Sequence, residues 1–198
     1  KGKDTLQAGD FVYFVCKGQD IEEILRLFGK KTTSLKNILV VGGGNIGFPL
    51  AKELEARRFN VKLIEKDPQR CQMISAKLNR TLVLQGFATD QKFLEQENIG
   101  HMDMVVAVTW DEEMNILSCL LAKQLGAKKT IARVNKVPYI PLVQAIGIDH
   151  IVSPRLSAIN ALFPYLRRGK VISSVSIRGK AAEVLEAEAL AKSAIVGK

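Results

Sequence analysis

The residues best placed to do chemistry form a glycine-rich turn in the stretch NILVVGGGNIGFPLAKEL, residues 37–54. Gly42, Gly44 and Gly47 fit the spacing G-x-G-x-x-G. The first glycine would allow a tight turn after a strand, the second would let the backbone approach a pyrophosphate, and the third would let a helix pack closely on a sheet. N–H groups at the start of that helix attract an anion. The turn therefore predicts a site for nucleotide phosphates.

An acidic residue lies where such a site needs one. Glu65 ends the next apolar run, 23 positions after Gly42. A carboxylate there accepts hydrogen bonds from ribose hydroxyls and repels a 2′-phosphate, which favours NAD or adenosine nucleotides over NADP. The neighbouring Lys66 favours the opposite preference, because a cation can accommodate a 2′-phosphate. The structural alternative is that Glu65 is only a surface residue at the end of a strand.

Three further strand ends carry side chains that suit the same ligand, since ligands of parallel sheets bind outside the carboxyl ends of the strands. Phe87 follows the third predicted strand. Thr109 could donate to a ribose or phosphate oxygen or cap the next helix, and Trp110 could cover a base or fill a loop. Arg133 could neutralise a phosphate or form a surface ion pair.

Strand and helix patterns alternate along the centre of the chain. We predict strands at 37–42, 61–65, 81–85, 103–108, 130–134 and 148–152, and helices at 46–55, from 69 onwards, and at 90–97, 114–125 and 138–146. Helices of this length between strands indicate parallel pairing with right-handed crossovers. The expected fold is an α/β doubly wound parallel sheet.

The two ends depart from this alternation. Residues 10–18 (DFVYFVCKG) have the composition of a strand, and a helix follows that we expect Asp20 to cap and Gly29 to end. Residues 31–36 have the composition of a linker. Residues 154–168 are predicted to be helical, with an apolar face formed by Ile159, Leu162, Phe163 and Leu166. A strand is expected at 171–177 and the start of another unit at 181, so the chain is expected to be cut at both ends.

Composition limits the function classes. The formal charge of the 198 residues is +9, but the basic residues are scattered among separate elements, so we expect no nucleic-acid partner. No apolar stretch reaches the ~20 residues of a membrane-spanning helix, and the first residues do not form a signal peptide. Cys16, Cys71 and Cys119 form no C-x-x-C pair, so we expect neither a metal site nor a redox pair, and a reducing cytoplasm is expected.

Catalysis on a nicotinamide would need a proton donor or acceptor beside the substrate. His101 is predicted at the opposite edge of the sheet from the nucleotide, and His150 begins the last strand. Neither Tyr139 nor Tyr165 is followed by a lysine four positions on. We therefore expect no catalytic residues. The alternatives are a small NAD-dependent oxidoreductase and a redox-sensing DNA-binding repressor, although no winged-helix segment is visible.

Several motifs together carry a family resemblance: KNILVVGGGNIGFPLAKELE, VKLIEKD, GFATD, MVVAVTWDEEMNILSCLLAKQLGAKKTIARVNK and GIDHIVSPR. They resemble the regulator-of-potassium-conductance (RCK, or KTN) family, and within it the peripheral subunits of bacterial Trk-type potassium uptake systems. The resemblance covers nearly the whole chain. The combination of TWDEEMN, IARVN and DHIVSP is far more specific than the glycine turn.

The resemblance implies a Rossmann lobe that binds NAD⁺ or NADH, with ATP or ADP as alternatives. The implied contacts are Gly42, Gly43, Gly44, Asn45, Ile46, Gly47, Glu65, Phe87, Thr109, Trp110 and Arg133. The position of Phe87 is often acidic in the family, so an acidic contact to the ligand is lost here. Because all four ligands share adenosine and phosphate groups, the choice among them stays open.

The resemblance also implies an assembly. Family members bind a membrane potassium-translocating subunit from the cytoplasmic face, pair with copies of themselves, and gate the channel without catalysing a reaction. Two-module members place a small lobe after each Rossmann lobe. By that analogy, residues 1–30 would end a first small lobe, 31–36 would be the linker, and 37–153 the Rossmann lobe. Residues 154–180 would form the crossover helix and connector, and 181–198 the start of the next small lobe.

Overall fold

The computed structural model describes residues 5–7, 10, 12–14, 16–29, 35–166, 171–177 and 182–187. It divides into one unit of residues 1–35 and another of residues 36–198. The division falls inside the segment that the sequence predicts as a linker, most of which lies outside the described residues. The finer domain limits remain a prediction.

The described part of the first unit contains one α-helix, α1 (Ile21–Leu27), directly after a 3₁₀ turn at Gly18–Asp20. Gly29 ends it as predicted, with φ +68°. The prediction that Asp20 caps α1 is wrong: its side chain makes no capping hydrogen bond, because its backbone is already helical and belongs to the preceding turn. The described residues of 10–18 form no strand, and the prediction there is wrong for them. A strand needs a ladder partner, and the described part of this unit supplies none.

The second unit is built on a six-stranded parallel sheet in the order β3-β2-β1-β4-β5-β6. Its strands are β1 (Asn37–Val41), β2 (Asn60–Glu65), β3 (Leu82–Gln85), β4 (Met104–Ala107), β5 (Thr130–Arg133) and β6 (His150–Val152). The connecting helices are α2 (Gly47–Ala56), α3 (Pro68–Ser75), α4 (Gln91–Gln96), α5 (Glu112–Gln124) and α6 (Ile140–Ala145). The predicted doubly wound Rossmann sheet is confirmed.

The apolar strands divide the core between the two faces of the sheet. In β1, Ile38 and Val40 join one buried cluster, whereas Leu39 and Val41 join the other. Successive side chains of a strand point to opposite faces, so a continuous apolar run such as NILVV must be covered on both sides. The helices supply that cover, and Cys119 of α5 is part of it.

Two buried carboxylates, Asp103 and Glu55, hold the segments that lead into the strands, at the edge of the sheet where the strands begin. Asp103 accepts hydrogen bonds from the N–H groups of Lys36 and Asn37 and from Lys128 Nζ at 2.7 Å. Glu55 accepts hydrogen bonds from the backbone of residues 79–81. These bonds fix the start of β1 next to β4 and hold the loop between α3 and β3 against the end of α2.

Residues after the sheet form α7 (Pro154–Leu166) and an antiparallel pair of strands, β7 (Val171–Ile177) and β8 (Ala182–Ala187). The strand at 171–177 agrees with the prediction, whereas β8 has no counterpart in it. Residues 167–168 of the predicted helix and the side chains of Phe163 and Leu166 lie outside the described part. Among the described residues, no helix combines the length and the apolarity required to traverse a bilayer.

Candidate functional site

A cavity of about 430 Å³ opens at the carboxyl ends of β1, β2, β4 and β5. It lies between β1 and β4, where the strand order reverses, the usual place for a ligand in a doubly wound sheet. Its walls include nine of the eleven predicted contacts, namely Gly42, Gly44, Asn45, Ile46, Glu65, Phe87, Thr109, Trp110 and Arg133. The other two predicted contacts, Gly43 and Gly47, are not among the residues that line the cavity.

The glycines of the turn have different physical reasons. Gly42 has φ +98°, and a Cβ there would meet Thr109 Cγ2 at 2.8 Å. A Cβ on Gly47 would collide with the carbonyl oxygen of Gly42, because α2 begins directly against the turn. A Cβ on Gly44, in contrast, would meet only Trp110 Nε1, at 3.9 Å. Internal packing therefore requires Gly42 and Gly47 but not Gly44, whose bare backbone borders the cavity.

The Glu65 carboxylate holds the glycine turn in place through hydrogen bonds. Its Oε2 accepts a hydrogen bond from the Gly43 N–H at 2.8 Å, and its Oε1 accepts from the N–H groups of Lys66 and Asp67. The carboxylate thus joins the end of β2 to the glycine turn as well as facing the cavity. The alternative that Glu65 is only a surface residue at the end of a strand does not account for these hydrogen bonds.

Arg70 of α3 adds a second fastening that the sequence reasoning missed. Its Nε donates to the carbonyl oxygen of Gly43 at 3.0 Å, while its backbone N–H donates to Asp67 at the start of the helix. Both polar groups of the Gly43 peptide are therefore held by side chains of the β2–α3 segment. The signal was present in the sequence as an arginine five positions after Glu65, but no spacing rule connects it to the turn.

Asn115 of α5 joins the ends of β4 and β5, and it too was missed. Its Oδ1 accepts from the N–H and the hydroxyl of Thr109, and its Nδ2 donates to the carbonyl oxygens of Thr109 and Arg133. The side chain is fully buried and all its hydrogen-bonding positions are used. Asn115 belongs to the TWDEEMN motif, whose order along the chain gave no indication of this contact.

The Thr109 side chain is engaged with protein groups. Its hydroxyl lies 2.7 Å from Asn115 Oδ1 and accepts from the N–H of Asp111. The alternative role as helix cap is wrong: Asp111 caps α5 by accepting from the Met114 N–H at 2.9 Å. Asp111 has the extended backbone that a cap needs.

Arg133 is buried, with 6% of its surface exposed. Its Nη1 donates to the Thr109 carbonyl oxygen at 3.0 Å, and its guanidinium lies 4.7 Å from the ring centre of Trp110. The surface ion pair considered for Arg133 is wrong, because the residue is buried and pairs with no carboxylate of the described residues. Trp110 and Phe87 are exposed at the mouth of the cavity, 76% and 58% respectively.

Among the other titratable residues, Lys66 and Asp111 line the cavity, where Lys66 is exposed and Asp111 caps α5. The cysteines and histidines lie elsewhere or are shielded. Burial raises the pKa of the Cys119 thiol to about 12, and burial together with the nearby Glu65 and Asp67 carboxylates raises that of Cys71. His101 lies in the 3₁₀ turn before β4, and His150 begins β6. Neither histidine lines the cavity.

The cavity fits a nucleotide in two respects. The N–H groups of residues 44–47, at the end of the glycine turn and the start of α2, donate to no acceptor among the described residues and suit a phosphate. Two buried polar atoms in the wall, Ser118 Oγ and Arg133 Nε, make no hydrogen bond to the described residues. Buried polar groups are nearly always paired, and a polar ligand or an ordered water would supply the missing partners.

Comparisons with known proteins agree with this geometry. The family model of the TrkA-N domain matches residues 38–154. The Trk system potassium uptake protein TrkA of Halomonas elongata is 39% identical over 187 residues, which cover 94% of this chain and 41% of that protein. The chain spans less than half the length of the curated relatives it matches.

Two solved structures of GsuK have a similar fold. GsuK bound to ADP is 25% identical with a TM-score of 0.57, over 76% of this chain and 43% of that one. The GsuK channel bound to NAD is 19% identical with a TM-score of 0.60, over 79% and 29% of the two chains. The second similarity, at this identity, concerns the fold alone.

Proposed function

Because this chain belongs to the TrkA-N domain family, we propose that it is a regulatory module that binds an adenine nucleotide and controls potassium uptake through a membrane subunit. The observation that carries the proposal is the cavity at the point where the strand order reverses. There a glycine backbone, a ribose-binding carboxylate and a buried arginine line one space. Each of them suits a different part of a nucleoside diphosphate.

The ligand is NAD⁺ or NADH, with ADP and ATP as the alternatives. Glu65 supports this class, because a carboxylate at the end of β2 accepts from ribose hydroxyls and disfavours a 2′-phosphate. The GsuK structure that holds ADP supports an adenine nucleotide by similarity. Lys66, on the cavity wall beside Glu65, weakens but does not cancel the discrimination against NADP, since its ammonium group is exposed.

The module senses its ligand and does not transform it. Of the cavity-lining side chains that could take part in proton transfer, Glu65, Thr109 and Asp111 are hydrogen-bonded to the protein, and Lys66 is exposed to solvent. A group committed to the glycine turn or to Asn115 is a poor general acid or base, because proton transfer requires it to reach the substrate. The names of the relatives, potassium uptake proteins, support the same view.

The partner is a potassium-translocating membrane protein, which would hold the module at the inner face of the cell membrane, and the module pairs with copies of itself. A difference in nucleotide affinity between two states of the assembly would then shift the channel between open and closed. On α7, Ile159 and Leu162 are exposed and provide an apolar surface for the pairing.

Calorimetric titration with NAD⁺, NADH, ADP and ATP tests the binding. We expect saturable binding of at least one of the four and no loss of NADH absorbance when carbonyl substrates are added. Oxidation well above the protein-free rate would instead support the small oxidoreductase. Potassium uptake by cells that carry the full-length protein with and without Gly44→Val tests the regulatory step, and equal uptake by both would contradict it.

A further inference from the structure

The inner wall of the cavity holds two polar atoms that the site as described leaves without a role. Ser118 Oγ of α5 and Arg133 Nε of β5 are both buried, and neither has a hydrogen-bond partner among the described residues. The Ser118 residue is 2% exposed and Arg133 is 6% exposed. Both residues line the cavity.

The two residues border the same cavity because α5 lies against β5. Asn115 Nδ2 donates to the Arg133 carbonyl oxygen at 3.1 Å, and Cys119 Sγ lies 3.4 Å from the Ile131 carbonyl oxygen. Ser118 lies one turn of the helix after Asn115, on the same side of α5. Ser118 and Arg133 therefore belong to neighbouring elements of the cavity wall.

The positive charge of Arg133 in this part of the cavity wall favours an anionic ligand. The guanidinium of Arg133 is buried and its described neighbours are a carbonyl oxygen and the Trp110 ring, neither of which carries a full negative charge. A buried cation without a counter-charge is costly, and an orphaned donor adds to that cost. A phosphate oxygen would accept from both Arg133 Nε and the Ser118 hydroxyl.

We propose that Ser118 is a ligand-binding residue which, with Arg133, holds the phosphate farther from adenosine and so makes the site prefer nucleoside diphosphates to monophosphates. The proposal rests on the proposed nucleotide binding. The glycine turn and the start of α2 would take the phosphate nearer to adenosine. NAD and ADP both supply the second phosphate, whereas AMP does not.

Titration of ADP and AMP into the wild-type chain and Ser118→Ala tests the assignment. We expect Ser118→Ala to weaken ADP binding on the order of tenfold, because a hydrogen bond to a charged group is lost, and to change AMP binding less than twofold. Ser153→Ala is the matched control. Ser153 is also buried but does not line the cavity, and its Oγ lies 3.5 Å from the N–H of Leu156.

Thermal unfolding separates binding from folding. Without ligand, Ser118→Ala should melt at or above the wild-type temperature, because the substitution removes an unsatisfied buried hydroxyl. With ADP present, its stabilisation should be smaller than that of the wild type. Ser118→Ala binding ADP as tightly as the wild type, or losing ADP and AMP affinity equally, would overturn the role of Ser118. If the wild type binds none of the nucleotides, this proposal falls together with the proposed function.

Discussion

Glu65 holds the glycine turn and lines the cavity where we propose that the ribose binds, and a pair of substitutions would separate these two functions. Replacing it with alanine removes an acceptor for ribose hydroxyls and releases the Gly43 N–H. We expect Glu65→Ala to weaken NAD binding on the order of tenfold or more, because a charge-assisted hydrogen bond is worth roughly 1.5–3 kcal/mol. Calorimetry with NAD and NADP measures both affinity and discrimination.

Glu65→Gln is the informative comparison. Its amide oxygen can still accept from the turn, but the negative charge that repels a 2′-phosphate is gone. Both variants should therefore discriminate less against NADP, and Glu65→Gln should keep more of the affinity for NAD. Wild-type affinity in Glu65→Ala would show that the adenosine ribose binds elsewhere.

Gly44 and Gly47 provide a second contrast between ligand binding and folding. Gly44→Val should leave the urea midpoint close to that of the wild type, because a Cβ there meets no protein atom closer than 3.9 Å, and should abolish nucleotide binding. Gly47→Ala should lower the free energy of unfolding by about 1–3 kcal/mol, because its Cβ collides with the Gly42 carbonyl oxygen. Urea denaturation and calorimetry measure the two effects. The reverse pattern would mean that the turn does not carry the phosphates.

At the scale of elements, Asn115 joins α5 to the ends of β4 and β5. Removing its side chain leaves buried backbone groups of Thr109 and Arg133 unpaired, each at a desolvation cost. We expect Asn115→Ala to lower the free energy of unfolding by roughly 1–3 kcal/mol. Gln124→Ala, exposed on the same helix, should change it by less than about 0.5 kcal/mol. Urea denaturation of Asn115→Ala and Gln124→Ala tests this prediction. Equal midpoints would mean that the ends of β4 and β5 stay in place without the Asn115 side chain.

The carboxylate of Asp103 ties the start of β1 to β4 and makes stability depend on pH. Hydrogen bonds from Lys128 and from the N–H groups of Asn37 and Lys36 hold the pKa of Asp103 well below its usual range. Stability from this group is therefore present above the unfolded pKa, near 3.9, and is lost as the pH falls through the lower folded value.

Asp103→Asn should consequently be less stable than the wild type at pH 7, and the difference should narrow below about pH 4, where the wild-type carboxylate begins to lose its advantage. Urea midpoints at pH 7 and pH 3 measure the change. Glu95→Gln is the control, since Glu95 is exposed on α4 and, among the described residues, its side chain accepts only from Gln91 of the same helix. A constant difference between Asp103→Asn and the wild type across this range would contradict the prediction.

These elements also show what the sequence could and could not predict. Local patterns sufficed for the six parallel strands, because each apolar run is buried on both faces and each connecting helix has its own periodicity. They failed at residues 10–18, where a strand composition has no ladder partner among the described residues. The cavity residues at strand ends followed from topology, whereas Arg70 and Asn115 make contacts that depend on how α3 and α5 pack. No spacing rule encodes that packing.

At the scale of the whole molecule, the surface of α7 bears on assembly. Ile159 and Leu162 are 40% and 60% exposed and lie on one side of the helix, three positions apart. Large exposed side chains next to one another are typical of an interface, and a surface shared by identical copies forms a closed pair by two-fold symmetry. We therefore predict that the chain associates with itself through α7.

Leu162→Glu should disrupt this pairing, because closing the interface would bury a carboxylate at its centre, and an unpaired buried charge is costly. Light scattering over a range of protein concentrations should give a mass above that of one chain for the wild type and the monomer mass for Leu162→Glu. Ser157→Glu adds the same charge at an exposed position on another side of α7 and should leave the wild-type mass unchanged. A wild-type chain that stays monomeric at high concentration, or a Leu162→Glu variant that associates as the wild type does, would exclude α7 as the pairing surface. Retained nucleotide binding in Leu162→Glu would confirm that the variant is folded, since the cavity and α7 share no residue.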